Sequence, residues 1–379
     1  MDCIPADDAF DFPGAFPCSW AVMQAGLEAG LHLGGQVYIS VHGKPVAHIA
    51  FGWAREGREM KRESLALWLS AGKPLTAVAV MQCVERGETV LEARVSEILP
   101  AFGVKGKENL TIRHLLTHTA GLRSADDPVS CLSWQAQLER ICQAPLEPDW
   151  VPGATAGYQL SATWLVLAEL VQRLSGQAFP DYLRKRVCAP LALKDTWVAI
   201  PEAAIAERQD RLAWLYVTQS GRVVPHPFWS TPESFAVCQP GASARGPIHE
   251  LGRFYEAMLA GGGGDAGRVL EPETVVVMTS PQRVGLNDRT FQHRLDWGLG
   301  FIVNSNHYGL QTVPYGFGLH ASPRAFGHGG AQSSIGFADP ECGLTVAWHL
   351  NGQCGEPRHQ RRNRALNTAI YEDLGITVA

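Results

Sequence analysis

The stretch LSAGKPLTAVAVMQCVERGETVLEARVSEILPAF, residues 69–102, decides how the rest of the chain is interpreted. It places a serine, Ser70, three residues before a lysine, Lys73, inside a largely apolar run. Residues three apart share one face of a helix, and an amine beside a serine hydroxyl can act as its base. The spacing therefore predicts a buried helix that carries a serine nucleophile.

Lys73 has two interpretations on the local pattern alone. A buried ammonium is costly unless it is paired or deprotonated, which favours a catalytic amine. A lysine side chain can equally reach the surface while its stem packs against apolar neighbours. No other serine in the chain is followed by a lysine at the third position, so Ser70 is the single candidate of this type.

The two ends of the chain differ in pattern from its middle. A helix and two β-rich runs come first, helices dominate the middle, and strands return before a final helix. This predicts an α+β fold in which one antiparallel sheet, flanked by helices and built from both chain ends, accompanies a mostly helical inserted region. We expect the sheet region at 1–65 and 285–379 and the helical region, with the nucleophile and the tyrosine loop, at 66–284.

The individual elements expected from periodicity and turn residues are as follows. The helices are 20–31, 70–83, 111–117, 133–143, 162–174, 179–187, 249–260 and 358–374. The strands are 37–41 and 46–51, joined as a hairpin, and 297–303, 333–339 and 344–349.

The stretch at 69–102, followed by LTIRHLLTHTAGL at 110–122, resembles the serine β-lactamase and penicillin-binding family, in its class C and esterase branch. The resemblance runs from about residue 20 to about residue 350. It implies a β-lactamase/transpeptidase-like fold and a reaction through an acyl-enzyme on the nucleophilic serine.

A second block, PGATAGYQLSATWLVLAELVQRLSG at 152–176, resembles the region that holds the family's Tyr-x-Asn element. The resemblance implies that Tyr158 is the catalytic tyrosine, and we expect the Lys73 cation to lower the pKa of its phenol. Leu160 stands where the family has asparagine, which helps to hold a substrate amide. This departure disfavours β-lactam hydrolysis and D-Ala-D-Ala peptidase activity.

The third block, FGHGGAQSSIGFADPECGLTVAWHLNG at 326–352, resembles a His-x-Gly variant of the family's Lys-Thr-Gly edge strand. His328, Gly329 and Gly330 then occupy the substrate-binding motif, together with Leu160 on the facing loop. Glycines let a strand approach a ligand closely. A tight turn is the alternative interpretation of His-Gly-Gly, and a triad-like base is a minority interpretation of His328.

The resemblance also implies an oxyanion hole formed by two backbone amides, those of Ser70 and Ala331. Removing one such donor typically lowers the rate by about a hundredfold or more.

Composition and charge limit the classes of binding partner and the location that we expect. A net charge of −5 and a pI near 6.2 give no basic surface for nucleic acid. The apolar run at 64–84 is interrupted by glycine, lysine and proline, so no membrane span is expected. The N-terminus lacks the features of a secretory signal, and the nine cysteines include no C-x-x-C pair. We therefore expect reduced thiols and a cytoplasmic location.

No metal ion and no cofactor are expected. His114 and His118 are four residues apart on an expected helix, but no glutamate base or third ligand accompanies them, so we interpret both as structural.

The expected function is that of a serine hydrolase acting through an acyl-enzyme on a small ester-type substrate. The alternative is an acyltransferase that moves an acyl group from a thioester to an alcohol or amine. A β-lactamase, a D,D-peptidase and an inactive binding homologue are disfavoured. The sequence leaves open the substrate, the oligomeric state and the division of the base role between Lys73 and Tyr158.

Overall fold

The computed structural model describes residues 11–127, 132–264 and 266–377. Its helices are α1 Phe12–Ala15, α2 Pro17–Glu28, α3 Lys73–Glu85, α4 Val95–Ile98, α5 Ile112–Leu116, α6 Trp134–Gln143, α7 Ala162–Ser175, α8 Phe179–Leu183, α9 Glu202–Glu207, α10 Ile248–Leu259, α11 Pro272–Thr279 and α12 Glu356–Asp373. Its strands are β1 Gly34–Val41, β2 Lys44–Arg55, β3 Arg58–Glu59, β4 Ala66–Leu67, β5 Tyr216–Val217, β6 Val224–Pro225, β7 Arg245–Gly246, β8 Gly263–Gly264, β9 Gly267–Arg268, β10 Asn287–Asp288, β11 His293–Arg294, β12 Asp296–Trp297, β13 Ile302–Val303, β14 Phe326–Gly330, β15 Ser334–Asp339, β16 Leu344–Leu350 and β17 Gly352–Gln353.

An eight-stranded sheet joins the two ends of the chain. Its order is β12-β13-β14-β15-β16-β1-β2-β3, and its neighbours pair antiparallel. The predicted hairpin is confirmed: β1 and β2 are connected through His42 and Gly43, whose φ angles of 50° and 71° suit a type I′ turn. The expected α+β fold with a sheet built from both ends is therefore what the chain adopts.

Helices cover both faces of the sheet. Successive side chains of β1 point to opposite faces and so contact different helices. Val37 and Ile39 belong to an apolar cluster shared with residues of α2 and α12, whereas Tyr38 belongs to the cluster that contains α10 and α3. Since α10 packs on β1, β15 and β16 although it lies within 66–284, the boundaries given above for the two regions stay a prediction.

The helical region centres on α3, which is buried along nearly all of its length and packs against α7. The helices expected at 111–117, 133–143, 162–174 and 249–260 are confirmed to within a residue or two. The helix expected at 179–187 ends at Leu183 and continues as a π-helical turn, Arg184–Cys188.

Two expectations need correction. The strand expected at 297–303 is a pair of two-residue strands, β12 and β13, because the chain turns between them at Gly300, where φ is 82°. The helix expected from Ser70 begins at Lys73, since residues 69–72 form a tighter 3₁₀ turn. No described helix combines the length and the apolar composition that crossing a membrane requires.

Candidate active site

Ser70 lies in the 3₁₀ turn Leu69–Gly72 at the start of α3. Leu69 has a φ of 50°, a left-handed conformation that is uncommon for a residue other than glycine. The Ser70 side chain is nearly buried, with 9% of the residue exposed, yet it lines a cavity. The turn thus presents one hydroxyl to a cleft while its neighbours pack inward.

Lys73 points its amine at the same hydroxyl. Its Nζ lies 2.9 Å from Ser70 Oγ, and it donates to the carbonyl oxygens of Leu160 at 2.8 Å and Gly241 at 2.6 Å. The residue is fully buried. The surface interpretation of Lys73 is therefore wrong, because the amine ends inside the protein beside the serine.

Burial lowers the pKa of Lys73 from its ordinary 10.5 to about 7. The Asp126 carboxylate opposes this shift, but it does not contact the amine and is the smaller effect. At neutral pH a large fraction of the amine is consequently unprotonated and can accept a proton.

Tyr158 faces Lys73 across the cleft. Its ring centroid is 5.3 Å from Lys73 Nζ, and its main chain is held on both sides: its amide donates to Asp288 Oδ1 at 2.9 Å, and its carbonyl accepts from Thr290 Oγ1 at 2.8 Å. The His118 ring packs 4.6 Å from the tyrosine ring. Ser70, Lys73 and Tyr158 are therefore brought together, as the sequence predicted.

The expected direction of the Tyr158 pKa shift is wrong. Burial raises the pKa of the phenol above its ordinary value, and a hydrogen bond with Ser70 only partly offsets this. The main reason is desolvation, which disfavours a phenolate in a buried site, and the nearby carboxylates of Asp126, Asp288 and Glu356 act in the same direction. Tyr158 therefore holds its proton at neutral pH.

The loop that follows Tyr158 is anchored by Asp126, a residue that the sequence interpretation missed. Its carboxylate accepts the amides of Leu160, Ser161 and Ala162 at 2.7, 2.8 and 2.8 Å. These contacts orient the Leu160 carbonyl toward the lysine, and the leucine side chain, 39% exposed, lines the cavity. The acidic pair of Asp126 and Asp127 matches no motif and gave no sequence signal for this role.

His328 is on β14, so its motif is a strand and not a tight turn. It is 1% exposed, its Nδ1 lies 2.8 Å from the Gly329 carbonyl oxygen, and its Nε2 has no hydrogen-bond partner among the described residues. Burial, followed by the Lys73 charge, lowers the pKa of His328 to about 3. The imidazole is therefore neutral, with the Nδ1 proton directed to the carbonyl.

Two details of this motif differ from expectation. β14 lies inside the sheet, because β13 and β12 extend the sheet beyond it. The two glycines that follow His328 make room for the protein itself: a methyl group on Gly330 would collide with the Trp68 carbonyl oxygen, and one on Gly329 with the ring of Tyr315. Close packing of β14 on the turn that carries Ser70 is what requires glycine here.

That packing brings Ser70 and Ala331, the two residues expected to supply the oxyanion amides, to one cavity. Ser334 Oγ donates to the Trp68 carbonyl at 2.6 Å, which ties the β14–β15 turn to the residue two before Ser70. Ala331, the first residue after β14, and Ser70 both line the cavity.

The cavity has a volume of about 520 Å³, a size that suits a small organic ligand. Besides the residues above, its walls are mostly apolar and aromatic, and one carboxylate, Glu356, stands at the start of α12. Glu356 was not singled out in the sequence, since a single glutamate before a basic helix carries no motif.

The remaining candidates have local structural roles. His114 Nδ1 accepts the Thr111 amide at 3.1 Å in a helix cap, and His118 Nδ1 accepts the Gln159 amide at 3.0 Å. Seven cysteines are free thiols, whereas Cys3 and Cys131 lie outside the described residues. No group of three potential metal ligands occurs within the described ranges.

Comparison with known proteins agrees with this architecture. Residues 21–369 match the family model described as Beta-lactamase, and the chain therefore belongs to the β-lactamase family. Esterase/beta-lactamase LipL of Mycobacterium tuberculosis is 28% identical over 83% of this chain and 76% of its own length. Esterase EstB of Burkholderia gladioli is 28% identical over 93% of this chain and 94% of its own.

The fold recurs in solved structures. EstCE1, described as a hydrolase with promiscuous acyltransferase activity, superposes with a TM-score of 0.77 at 22% identity, covering 94% of this chain and 98% of EstCE1. The chain thus has the β-lactamase/transpeptidase-like fold.

Proposed function

We propose that this protein is a serine hydrolase that cleaves small carboxylic esters through an acyl-enzyme on Ser70. One observation carries the proposal: a fully buried lysine amine, with its pKa lowered to about 7, lies 2.9 Å from the Ser70 hydroxyl in a cavity large enough for a small ester. Two relatives that align with most of the chain are named as esterases, which supports the same reaction.

The contacts of Lys73 suit a general base. A neutral amine has two N–H groups and one lone pair. The carbonyls of Leu160 and Gly241 accept the two N–H groups, which leaves the lone pair for the Ser70 O–H. Proton transfer gives an ammonium whose three donors match three oxygen acceptors, so attack needs no rearrangement of the lysine.

Tyr158, which stays protonated, acts as a donor. In this scheme its phenol passes a proton toward the leaving oxygen as the acyl-enzyme forms, and recovers it from Lys73. The amides of Ser70 and Ala331 stabilise the oxyanion, while His328, Gly329, Gly330 and Leu160 form the substrate walls. Water then releases the acyl group.

Acyl transfer is the second candidate. The cavity that admits an ester can admit an acceptor alcohol or amine, and EstCE1 is described as combining both activities. An added acceptor would compete with water for the same acyl-enzyme, so the two reactions share every step before release.

Efficient β-lactam or D,D-peptide hydrolysis is disfavoured. The position that would hold an amide clamp carries the apolar Leu160, and β14 presents a neutral histidine where the family has lysine. Neither side chain can pair with a substrate carboxylate as a cation does. A cytoplasmic location and independence of cofactors stay predictions.

Intact-mass analysis tests the nucleophile. The protein is exposed to a fluorophosphonate and to short-chain p-nitrophenyl esters, and we expect one adduct that Ser70→Ala abolishes. Ser64→Ala, at a buried serine outside the cavity, is the matched control and should label normally. An adduct that survives Ser70→Ala would refute this nucleophile, and the absence of any adduct would favour an inactive binding homologue.

A further inference from the structure

The wall of the cavity carries an isolated negative charge. Glu356 is the only residue with a charged side chain among the described residues that line the cavity, since His328 is neutral. It forms no ion pair with the described residues. Of the four arginines of α12, Arg358, Arg361 and Arg362 line a different cavity between α2 and α12, and Arg364 donates to the Gln311 carbonyl.

The carboxylate is held in position by neutral donors. Tyr315 Oη donates to Glu356 Oε1 at 2.9 Å, and Gln360 Nε2 donates to Oε2 at 3.0 Å. Tyr315 is buried, and its main-chain amide in turn donates to Gln360 Oε1 at 2.8 Å. The groups that hydrogen-bond the carboxylate are therefore uncharged, and Glu356 itself is exposed to solvent.

Two further features determine which ligand charge this part of the cavity favours. Glu356 is the first residue of α12, so the helix N-terminus, which would otherwise attract an anion, already holds the protein's own carboxylate. The aromatic rings of Phe291 and Tyr315, whose centroids are 5.8 Å apart, line the same space. Aromatic faces beside a carboxylate favour organic cations.

We propose that Glu356, with the rings of Tyr315 and Phe291, is a specificity subsite for the ammonium group of a cationic ester. A substrate with a carboxylate in this part of the cavity is repelled by Glu356. The inference rests on the proposed ester hydrolysis, since it names the class of ester that Ser70 would meet.

The first test measures selectivity within matched pairs of esters. Acetylcholine is compared with 3,3-dimethylbutyl acetate, and methyl 4-(trimethylammonio)butyrate with methyl 5,5-dimethylhexanoate, in which carbon replaces the charged nitrogen. We expect the ratio of kcat/KM for the cationic over the neutral ester to be about tenfold in at least one pair. Glu356→Gln should lower that ratio about two- to fivefold, since the two rings remain, whereas Glu372→Gln, an exposed glutamate near the other end of α12, should preserve it.

The second test does not require turnover. Tetramethylammonium is titrated into Ser70→Ala and into Ser70→Ala/Glu356→Gln by calorimetry, and the affinity should fall about two- to fivefold in the double variant. Equal affinities, or ester ratios that Glu356→Gln leaves unchanged, would overturn the subsite. Failure of every ester to acylate Ser70, with tetramethylammonium binding intact, would instead refute the hydrolase and leave the subsite standing.

Discussion

Lys73→Met tests the central electrostatic claim through protein stability. The folded protein holds the Lys73 amine with a pKa of about 7, whereas an unfolded chain restores its ordinary 10.5. Between these values the unfolded state binds more protons, so the contribution of Lys73 to the free energy of unfolding rises with pH, by about 1.4 kcal/mol per pH unit. It is complete above pH 10.5 and is lost as the pH falls to about 7.

The size of this stability change follows from the pH interval between the two pKa values of Lys73. From about pH 7.5 to about pH 9.5, Lys73 should add about 2 to 3 kcal/mol to the free energy of unfolding. Methionine has a similar length and no titrating group, so Lys73→Met lacks this contribution. The lost hydrogen bonds to Leu160 and Gly241 shift the variant's stability by an amount that does not depend on pH.

The assay is urea unfolding of the wild type and of Lys73→Met at several pH values across this range. The difference between their free energies of unfolding isolates Lys73, because the other groups titrate in both proteins. The nearby His328 and Tyr158 titrate outside the range, since the pKa of His328 is lowered to about 3 and that of Tyr158 is raised. A difference that stays constant with pH would refute the lowered pKa and with it the role of Lys73 as base.

Four further outcomes follow from the site. For a neutral ester, kcat/KM should rise with pH through a midpoint near 7 as Lys73 loses its proton; a flat profile in this range contradicts the lysine base. Gly330→Ala should lower ester turnover at least tenfold and cost about 1 to 3 kcal/mol in urea unfolding, because the new methyl group collides with the main chain before the nucleophile. Asp288→Asn breaks a buried pair with Arg283 at 3.2 Å and should destabilise the protein by about 3 kcal/mol in thermal unfolding. Leu160→Asn should raise the rate of acylation by a chromogenic cephalosporin, seen by stopped-flow absorbance; an unchanged rate would show that the missing amide is not what limits β-lactam reactivity.

Short-range features of the site could be read directly from the sequence. Ser70 and Lys73 are one helical turn apart, so any helix or 3₁₀ turn there places them together. The hairpin at His42 and Gly43 follows from a turn between two β-rich runs. Tyr158 was proposed only through resemblance, because its local sequence does not distinguish a catalytic tyrosine from a packing aromatic.

The sequence analysis was wrong about the direction of the Tyr158 pKa shift. The resemblance placed Tyr158 opposite Lys73, and from this we expected a lysine cation to lower the pKa of Tyr158. In the folded protein both groups are buried, and desolvation acts on each: it lowers the pKa of the amine and raises that of the phenol. The depth of burial depends on packing across the whole domain, which no local pattern encodes.

Local periodicity and collinear motifs in the sequence were enough to predict the class of fold and to propose Ser70 and Lys73 as the reacting pair. The tertiary structure alone decided which carbonyls hold the amine, since Leu160 and Gly241 are 87 and 168 residues away from Lys73. It also decided that Asp126 orients the facing loop and that Glu356 enters the cavity. Solvent exclusion and the meeting of distant segments create these properties, and both exist only once the chain has packed.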